Sequence, residues 1–543
     1  MNNFHINVPK PVNEPVLSYA PKSKETTLLK SALSQLKSKV LEIPMVINGK
    51  KIKTNKKVDI FCPHELKHKL GNYYLGDEKL VELAIDTALK AKLKWENMSW
   101  ENRSAIFMKA ADLLANKYRF KMNAATMLGQ SKNCYQAEID SACELVDFLR
   151  FNVYFLDQIY RQQPQSLPHT TNRLEYRPLE GFVLAITPFN FTAIGGNLPT
   201  APALCGNVVV WKPAETQIYS ASVFMDILIE AGLPPGVINL VFTPGRTIGE
   251  ICTNHRLFSG LHFTGSTPTF NFLWLQISQR LNKYVSYPRI VGETGGKNFI
   301  LAHQTADVNV IVTALLLSAF EYQGQKCSAC SRAYLPKSLA KSIIDKLIKN
   351  LQKVKMGSVE DFSNLINAVI DAKAYKSITE YIEFAKKSPK AKILYGGNFS
   401  CTEGYFIEPT VVLTTDPKFK LMCEEIFGPV VTLYVYDDKK WEQIIDIIDN
   451  TSIYGLTGSI LCQDRYALEL AMNKLKYAAG NLYINDKPTG AVVDQQPFGG
   501  GRYSGTNDKA GSPLNLYRWI NPRAIKENFN PPTTIPYRFL DQE

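Results

Sequence analysis

From residue 181 onward, short apolar runs alternate with helical stretches, and this alternation constrains the fold more than any other feature of the chain. The runs at 181–187 and 208–212 are too short for core helices and end in Gly, Pro or Asn, so they are expected to be buried strands. A helix is predicted over 220–231, stopping at Gly232-Leu-Pro-Pro235, with strands again at 237–242 and 260–263. A second series starts at Phe299, with helices at 308–322, 340–354 and 371–387 and strands at 410–413 and 430–435. Strands that are apolar throughout need cover on both faces. The expected fold is therefore α/β, with a doubly wound, mostly parallel sheet.

Upstream, apolar residues recur at helical spacing over 78–157, and 44–53 reads as a hairpin turning at Asn48-Gly49. The first forty residues are Pro- and Lys-rich and read as a surface arm with one helix near 24–39. A chain of 543 residues implies two or three structural units. With no internal repeat and no low-complexity linker, these units are expected to interleave.

The longest uncharged stretch, 181–211, exceeds the roughly 20 residues that span a bilayer. Pro188, Asn190, Gly195, Gly196, Asn197, Pro199, Pro202 and Asn207 break it into strands and turns, so a soluble chain with no membrane partner is expected. The net charge of +12 is spread along the chain, with mild clusters at 22–57 and 337–355, and does not form the patch of a nucleic-acid binder. Ten scattered cysteines are too few for a disulfide scaffold. Together with an N-terminus lacking a readable targeting signal, they point to the cytoplasm.

Five segments carry candidate chemistry. Cys327 follows a Gly-containing bend and adjoins Lys326, which can lower a thiol pKa and favour a nucleophile. Taken alone, a buried structural cysteine is the better reading, and the Cys327/Cys330 pair lacks the partner cluster that a zinc or redox site needs. Glu293 is followed at once by Thr294-Gly-Gly296, which suits a general base or a plain surface turn. Asn190, at a strand end, can donate to an oxyanion. Lys212 and Glu215, and Gly265-Ser266, also follow predicted strands, where open α/β sheets bind dinucleotides. No GxGxxG is present, and no metal site is expected.

The order of these segments, with Glu424-Glu-Ile-Phe-Gly-Pro429 and Pro497-Phe-Gly-Gly500, resembles the aldehyde dehydrogenase superfamily over about 45–530. Within it, Gly324-Gln-Lys-Cys-Ser-Ala-Cys-Ser-Arg332, Ile484-Asn-Asp-Lys487, Thr489-Gly-Ala-Val-Val493 and Gly505-Thr-Asn-Asp-Lys509 resemble the branch acting on L-glutamate γ-semialdehyde, the open form of 1-pyrroline-5-carboxylate. The resemblance implies NAD-dependent oxidation to L-glutamate, the second step of proline degradation. Cys327 would be the nucleophile, Glu293 the base for hydrolysis and Asn190 an oxyanion donor. Lys212, Glu215, Gly265, Ser266, Glu425 and Phe427 would hold NAD, with Glu215 disfavouring NADP. Ser328, Gly490 and Ala491 would receive the substrate carboxylate, Lys326 would face the substrate, Glu144 would lie near the pocket, and Phe191 and Phe498 would pack the chain. The competing reading is an aldehyde dehydrogenase for another short acidic or amino aldehyde, without such an anchoring turn.

The resemblance also implies an NAD domain at 1–155 and 179–291, a catalytic domain at 292–512 and a small β oligomerisation flap at 156–178 and 513–543. It implies a homo-oligomer, at least a dimer, and a functional link to proline dehydrogenase. Two departures stand out: Asp494 where glycine is expected, and Gly501-Arg-Tyr-Ser504 in place of Ala-Arg-Ala-Ser. Asp494 weakens substrate binding if it points inward and is harmless if it faces solvent.

Overall fold

A computed structural model describes residues 7–540. The run at 181–187 forms the strand Phe182–Thr187, and the next forms Val208–Pro213, buried along its whole length. They are central in a seven-stranded sheet ordered Arg289–Glu293, Phe258–Thr264, Phe182–Thr187, Val208–Pro213, Ile238–Leu240, Met45–Ile47 and Lys50–Ile52. The first five strands are mutually parallel. Met45–Ile47 and Lys50–Ile52 form the expected hairpin at one edge, turning through Asn48 (φ 55°) and Gly49 (φ 70°). Both turn residues are left-handed, the geometry that Asn-Gly supplies at least strain.

Strand order runs outward in one direction from Phe182–Thr187, then restarts on its other side at Phe258–Thr264. This reversal is a topological switch point, where the loops after two neighbouring strands diverge and leave a crevice. Asn190 lies just past the first of these strand ends, and Gly265-Ser266 just past the second.

The second sheet also has seven strands, in the order Ala391–Tyr395, Thr410–Thr414, Val430–Tyr436, Cys330–Pro336, Asn298–Ala302, Thr457–Leu461 and Asn481–Ile484. Only Ala391–Tyr395 runs antiparallel to its neighbour. Arg289–Glu293 is the edge of the first sheet and Asn298–Ala302 lies inside the second. The chain therefore crosses between sheets over 294–297, and the expected division at 291/292 falls inside a strand. Thr170–Pro178 and Ile520–Asn528 pair antiparallel in a separate ribbon.

The region read as helical over 78–157 contains five α-helices and a π-helical turn at Glu138–Glu144, inserted between Cys134–Ala137 and Leu145–Tyr160. Such widened turns arise where side chains need redirecting. Here Glu138 and Asp140 are both buried and ion-paired, to Arg119 and to Lys132. The helix expected over 308–322 ends at Phe320. Beyond it Tyr322 (φ 50°) and Gln323 (φ 56°) are left-handed. Local propensity cannot reveal this, because tertiary hydrogen bonds impose it: Tyr322 Oη donates to the Gln130 carbonyl, and Gln323 Nε2 to those of Ser131 and Ala368. Among the described residues, no helix is long and apolar enough to cross a membrane.

Candidate active site

A cavity of about 170 Å³ opens where the two sheets meet. It brings together Cys327, Glu293, Glu144, Phe191, Lys326, Ser328, Gly490, Ala491 and Phe498, which are far apart in sequence. Cys327 lies just before Cys330–Pro336 in the second sheet, and Glu293 ends Arg289–Glu293 in the first. Asn298 ties the two segments, its Nδ2 donating to the carbonyls of Cys327 at 2.7 Å and Ala329 at 2.8 Å.

Asn190 is buried, and its Nδ2 donates to the Gln325 carbonyl at 3.1 Å, which docks it on the loop leading to Cys327. An amide nitrogen has two protons, so this bond leaves one to offer elsewhere. The loop after Asn190 is held from beneath. Asp140 accepts from the backbone N–H groups of Thr192 (3.0 Å) and Ala193 (3.1 Å) at the start of the helix Thr192–Leu204. An anion at a helix N-terminus is favourable, and this one is balanced by Lys132 Nζ at 2.7 Å. Lys132 is fully buried and lies over the rings of Phe191 (4.3 Å) and Tyr322 (4.4 Å). Sequence reasoning did not find this pair, and a lysine in Gln130-Ser-Lys-Asn133 gives no local sign of burial.

The expected depression of the Cys327 thiol pKa is corrected. Burial, together with the Glu293 and Glu425 carboxylates, pushes it up. Lys326 does not offset this, because its Nζ is held at 3.0 Å by the buried carboxylate of Glu321. The Glu293 carboxyl is also held well above the ordinary carboxylate range, by burial and then by Asp508. Lys509 and the Gly500 backbone N–H pull it partly back, and Oε2 of Glu293 has no hydrogen-bond partner. Asp508 and Lys509 lie in a quoted motif, but their pairing with Glu293 depends on a fold-back of more than two hundred residues.

Glu144 occupies the π-helical turn, lines the cavity and is pushed well above the usual range by burial, so it is not on a solvated face. Ser328 Oγ and Thr489 Oγ1, which also line the cavity, are hydrogen-bonded at 2.7 Å. Gly490 follows with φ 93°, a conformation open to glycine that exposes backbone to the cavity. Asp494 (φ 69°) faces away, its carboxylate 2.7 Å from Lys10 Nζ, so of the two outcomes expected for this departure the outward one holds.

None of the residues expected to hold NAD is among those lining the cavity. Lys212, near the end of Val208–Pro213, has its Nζ 2.7 Å from Oε1 of Glu215 just beyond the strand. Gly265 N donates to the Glu293 carbonyl at 3.1 Å, and Ser266 stands at the N-cap position of the helix Thr267–Gln279 without a side-chain hydrogen bond to its N–H groups. Glu425 Oε1 accepts from Gly296 N at 2.8 Å, which places this carboxylate against the Glu293 segment. Its pKa is pushed up to about 7 by burial. Phe427 packs edge-to-face on Phe189. Cys330 is buried, and its Sγ faces the Arg332 carbonyl.

The aldehyde dehydrogenase family model matches residues 51–525. The chain belongs to the aldehyde dehydrogenase family. It is 52% identical over 545 residues to the mitochondrial Δ1-pyrroline-5-carboxylate dehydrogenase of Dictyostelium discoideum, covering 99% of this chain and 98% of that one. The crystal structure of Δ-pyrroline-5-carboxylate dehydrogenase from Mycobacterium tuberculosis bound with NAD is similar over 100% of both chains, with 48% identity and a TM-score of 0.96. Proline utilization A from Bdellovibrio bacteriovorus shares 30% identity over 97% of this chain and 54% of its own, with a TM-score of 0.90. The aldehyde dehydrogenase fold expected from the sequence is the fold found.

Proposed function

We propose that the chain oxidises L-glutamate γ-semialdehyde to L-glutamate with NAD as hydride acceptor. The observation that carries this is a single cavity lined by a cysteine, a carboxylate with one partner-free oxygen, the Ser328/Thr489/Gly490 donor group and Glu144. A substrate with a carboxylate and an ammonium at one end and an aldehyde at the other matches that layout. Ser328 and the backbone at 490–491 receive the carboxylate, Glu144 accepts the ammonium, and Phe191 and Phe498 flank the methylene chain.

The crevice residues fit a dinucleotide. The carboxylate of Glu215 stands at the strand end where a ribose binds, and the uncapped N–H groups of Thr267–Gln279 suit a pyrophosphate. Bound NAD would take up the hydride released when the substrate adduct on Cys327 becomes a thioester.

Cys327 gives up its proton and its sulfur bonds to the aldehyde carbon, forming a thiohemiacetal. Burial and the surrounding carboxylates raise the thiol, so its proton is released to solvent as the sulfur attacks, and Glu293 is left as the base for the later water step. The negative charge developing on the former aldehyde oxygen is met by the second Asn190 amide proton and the Cys327 backbone N–H. Once the thioester has formed, ionised Glu293 takes a proton from water. The hydroxide adds to the acyl carbon, the carbon–sulfur bond breaks, the departing thiolate takes the proton back from Glu293, and L-glutamate leaves with the Cys327 thiol and the Glu293 carboxylate regenerated.

The exposed ribbon of Thr170–Pro178 and Ile520–Asn528 is the expected contact between subunits. The ten unpaired cysteines fit a reducing compartment. A supply of substrate from a proline-oxidising partner follows from the same chemistry. NADH formation with pyrroline-5-carboxylate, compared with propanal, butanal and succinate semialdehyde, tests the assignment. A kcat/KM for pyrroline-5-carboxylate no higher than for the other aldehydes would refute it.

A further inference from the structure

The N-terminal arm is not a loose surface wrapping, because its polar groups converge on the walls of the cavity. Asn13 uses its whole carboxamide. Nδ2 donates to Asp147 Oδ2 at 2.9 Å and to the Val493 carbonyl at 3.0 Å, while Oδ1 accepts from Gln495 Nε2 at 2.9 Å. Asp147 lies three residues after Glu144 on the same helical run, and Val493 belongs to the turn that continues from Gly490 and Ala491. One side chain thus spans the two walls assigned to the ammonium and the carboxylate of the substrate.

The arm itself is anchored at both sides of this bridge. Glu14 N donates to Asp147 Oδ1 at 2.7 Å, and the Glu14 carboxylate is gripped by Arg119 and Arg150, each at 2.6 Å. Lys10 meets Asp494 at 2.7 Å, which pulls the outer side of the turn toward the arm. That ion pair is exposed, so it contributes little by itself. The half-buried amide of Asn13 is the stronger tie, because removing it leaves the Val493 carbonyl and an Asp147 oxygen short of a donor.

We propose that Asn13 is a positioning residue for substrate capture. Its carboxamide fixes the spacing between the Glu144 helix and the turn at 490–496, so the arm sets the affinity for the amino-acid end of the substrate. The inference rests on the reading of that turn as the carboxylate receptor. Asn13 touches neither the reacting carbon nor Cys327, so the chemical step proceeds without it.

The test uses the full-length protein with Asn13→Ala and Asn13→Asp; the second keeps the size of the side chain and loses both donor protons. Each variant should raise the KM for L-glutamate γ-semialdehyde about tenfold. The kcat, the KM for NAD and the kcat/KM for propanal should stay within about twofold of the parent. Equal losses with both aldehydes, or a lowered melting temperature with unchanged KM, would make the arm a plain structural brace and overturn the inference. Ser328→Ala, run alongside, separates the two levels. If Ser328→Ala weakens the semialdehyde selectively and the Asn13 variants do not, the inference falls and the reading of the turn stands. If none of the three discriminates between the aldehydes, the reading of the turn falls and the inference with it.

Discussion

Replacing Glu293 by glutamine isolates its basicity from its shape. The glutamine side chain has the same length and retains an oxygen for the Gly500 backbone N–H, which now faces the carboxylate. It cannot take a proton from water. The Glu293 segment is also held by backbone bonds that the substitution does not touch, from Gly265 N to the Glu293 carbonyl and from Thr294 N to the Ser504 carbonyl. General-base help of this kind is worth about 10²–10⁴ in rate, or about 3–5 kcal/mol of barrier. Thiohemiacetal formation and hydride loss do not consume a water, so the first turnover suffers less than the second. The expected record in rapid mixing is one NADH per chain followed by a stall, with the acyl group detectable on Cys327 by mass spectrometry. In the parent enzyme the Glu293 carboxyl is raised by burial and Asp508, so its basic form is lost as pH falls through that raised pKa. The rate of hydrolysis should therefore rise with pH along a limb displaced above the usual carboxylate range, and Glu293→Gln should lack that limb. A steady linear trace without a burst, or an unchanged limb in the variant, would place the base elsewhere.

Cys327→Ala should abolish turnover, whereas Cys330→Ala, which removes a sulfur buried in Cys330–Pro336, should keep most of it; steady-state NADH formation decides this. Lys132→Met should lower unfolding stability by about 3–5 kcal/mol in chemical denaturation, because Asp140 would remain buried without its cation. Glu215→Gln should narrow the preference for NAD over NADP, read as the ratio of the two kcat/KM values, since the carboxylate that repels a 2′-phosphate is gone.

Part of the strand set was legible from local rules, while Arg289–Glu293, Cys330–Pro336, Ala391–Tyr395, Thr457–Leu461 and Asn481–Ile484, and the order of the strands, were not. Apolar runs mark Phe182–Thr187, Val208–Pro213, Thr410–Thr414 and Val430–Tyr436, and Asn48-Gly49 supplies the two left-handed residues of its hairpin. Cys327, Glu293 and the 490–491 turn became candidates through the family resemblance carried by the ordered motifs, each of which is weak alone. What the sequence could not supply is anything that depends on who sits beside whom. Lys326 adjoins Cys327 in the chain, yet in space it is paired to Glu321, and the thiol is raised rather than lowered. Lys132 reads as an ordinary surface lysine until folding buries it against Asp140 and two aromatic rings.

The left-handed backbone at Tyr322 and Gln323 and the bridging amide of Asn13 belong to the same class. Local propensity and motif chemistry act over a few residues, and these the sequence by itself determined. Desolvation and Coulomb interactions act through space over several ångströms with no regard for chain separation. Only the tertiary structure sets which charges and dipoles share the low-dielectric interior. It therefore decided that burial pushes the Cys327 thiol and the Glu293 carboxyl upward, and that residue 13 holds a turn 480 positions away.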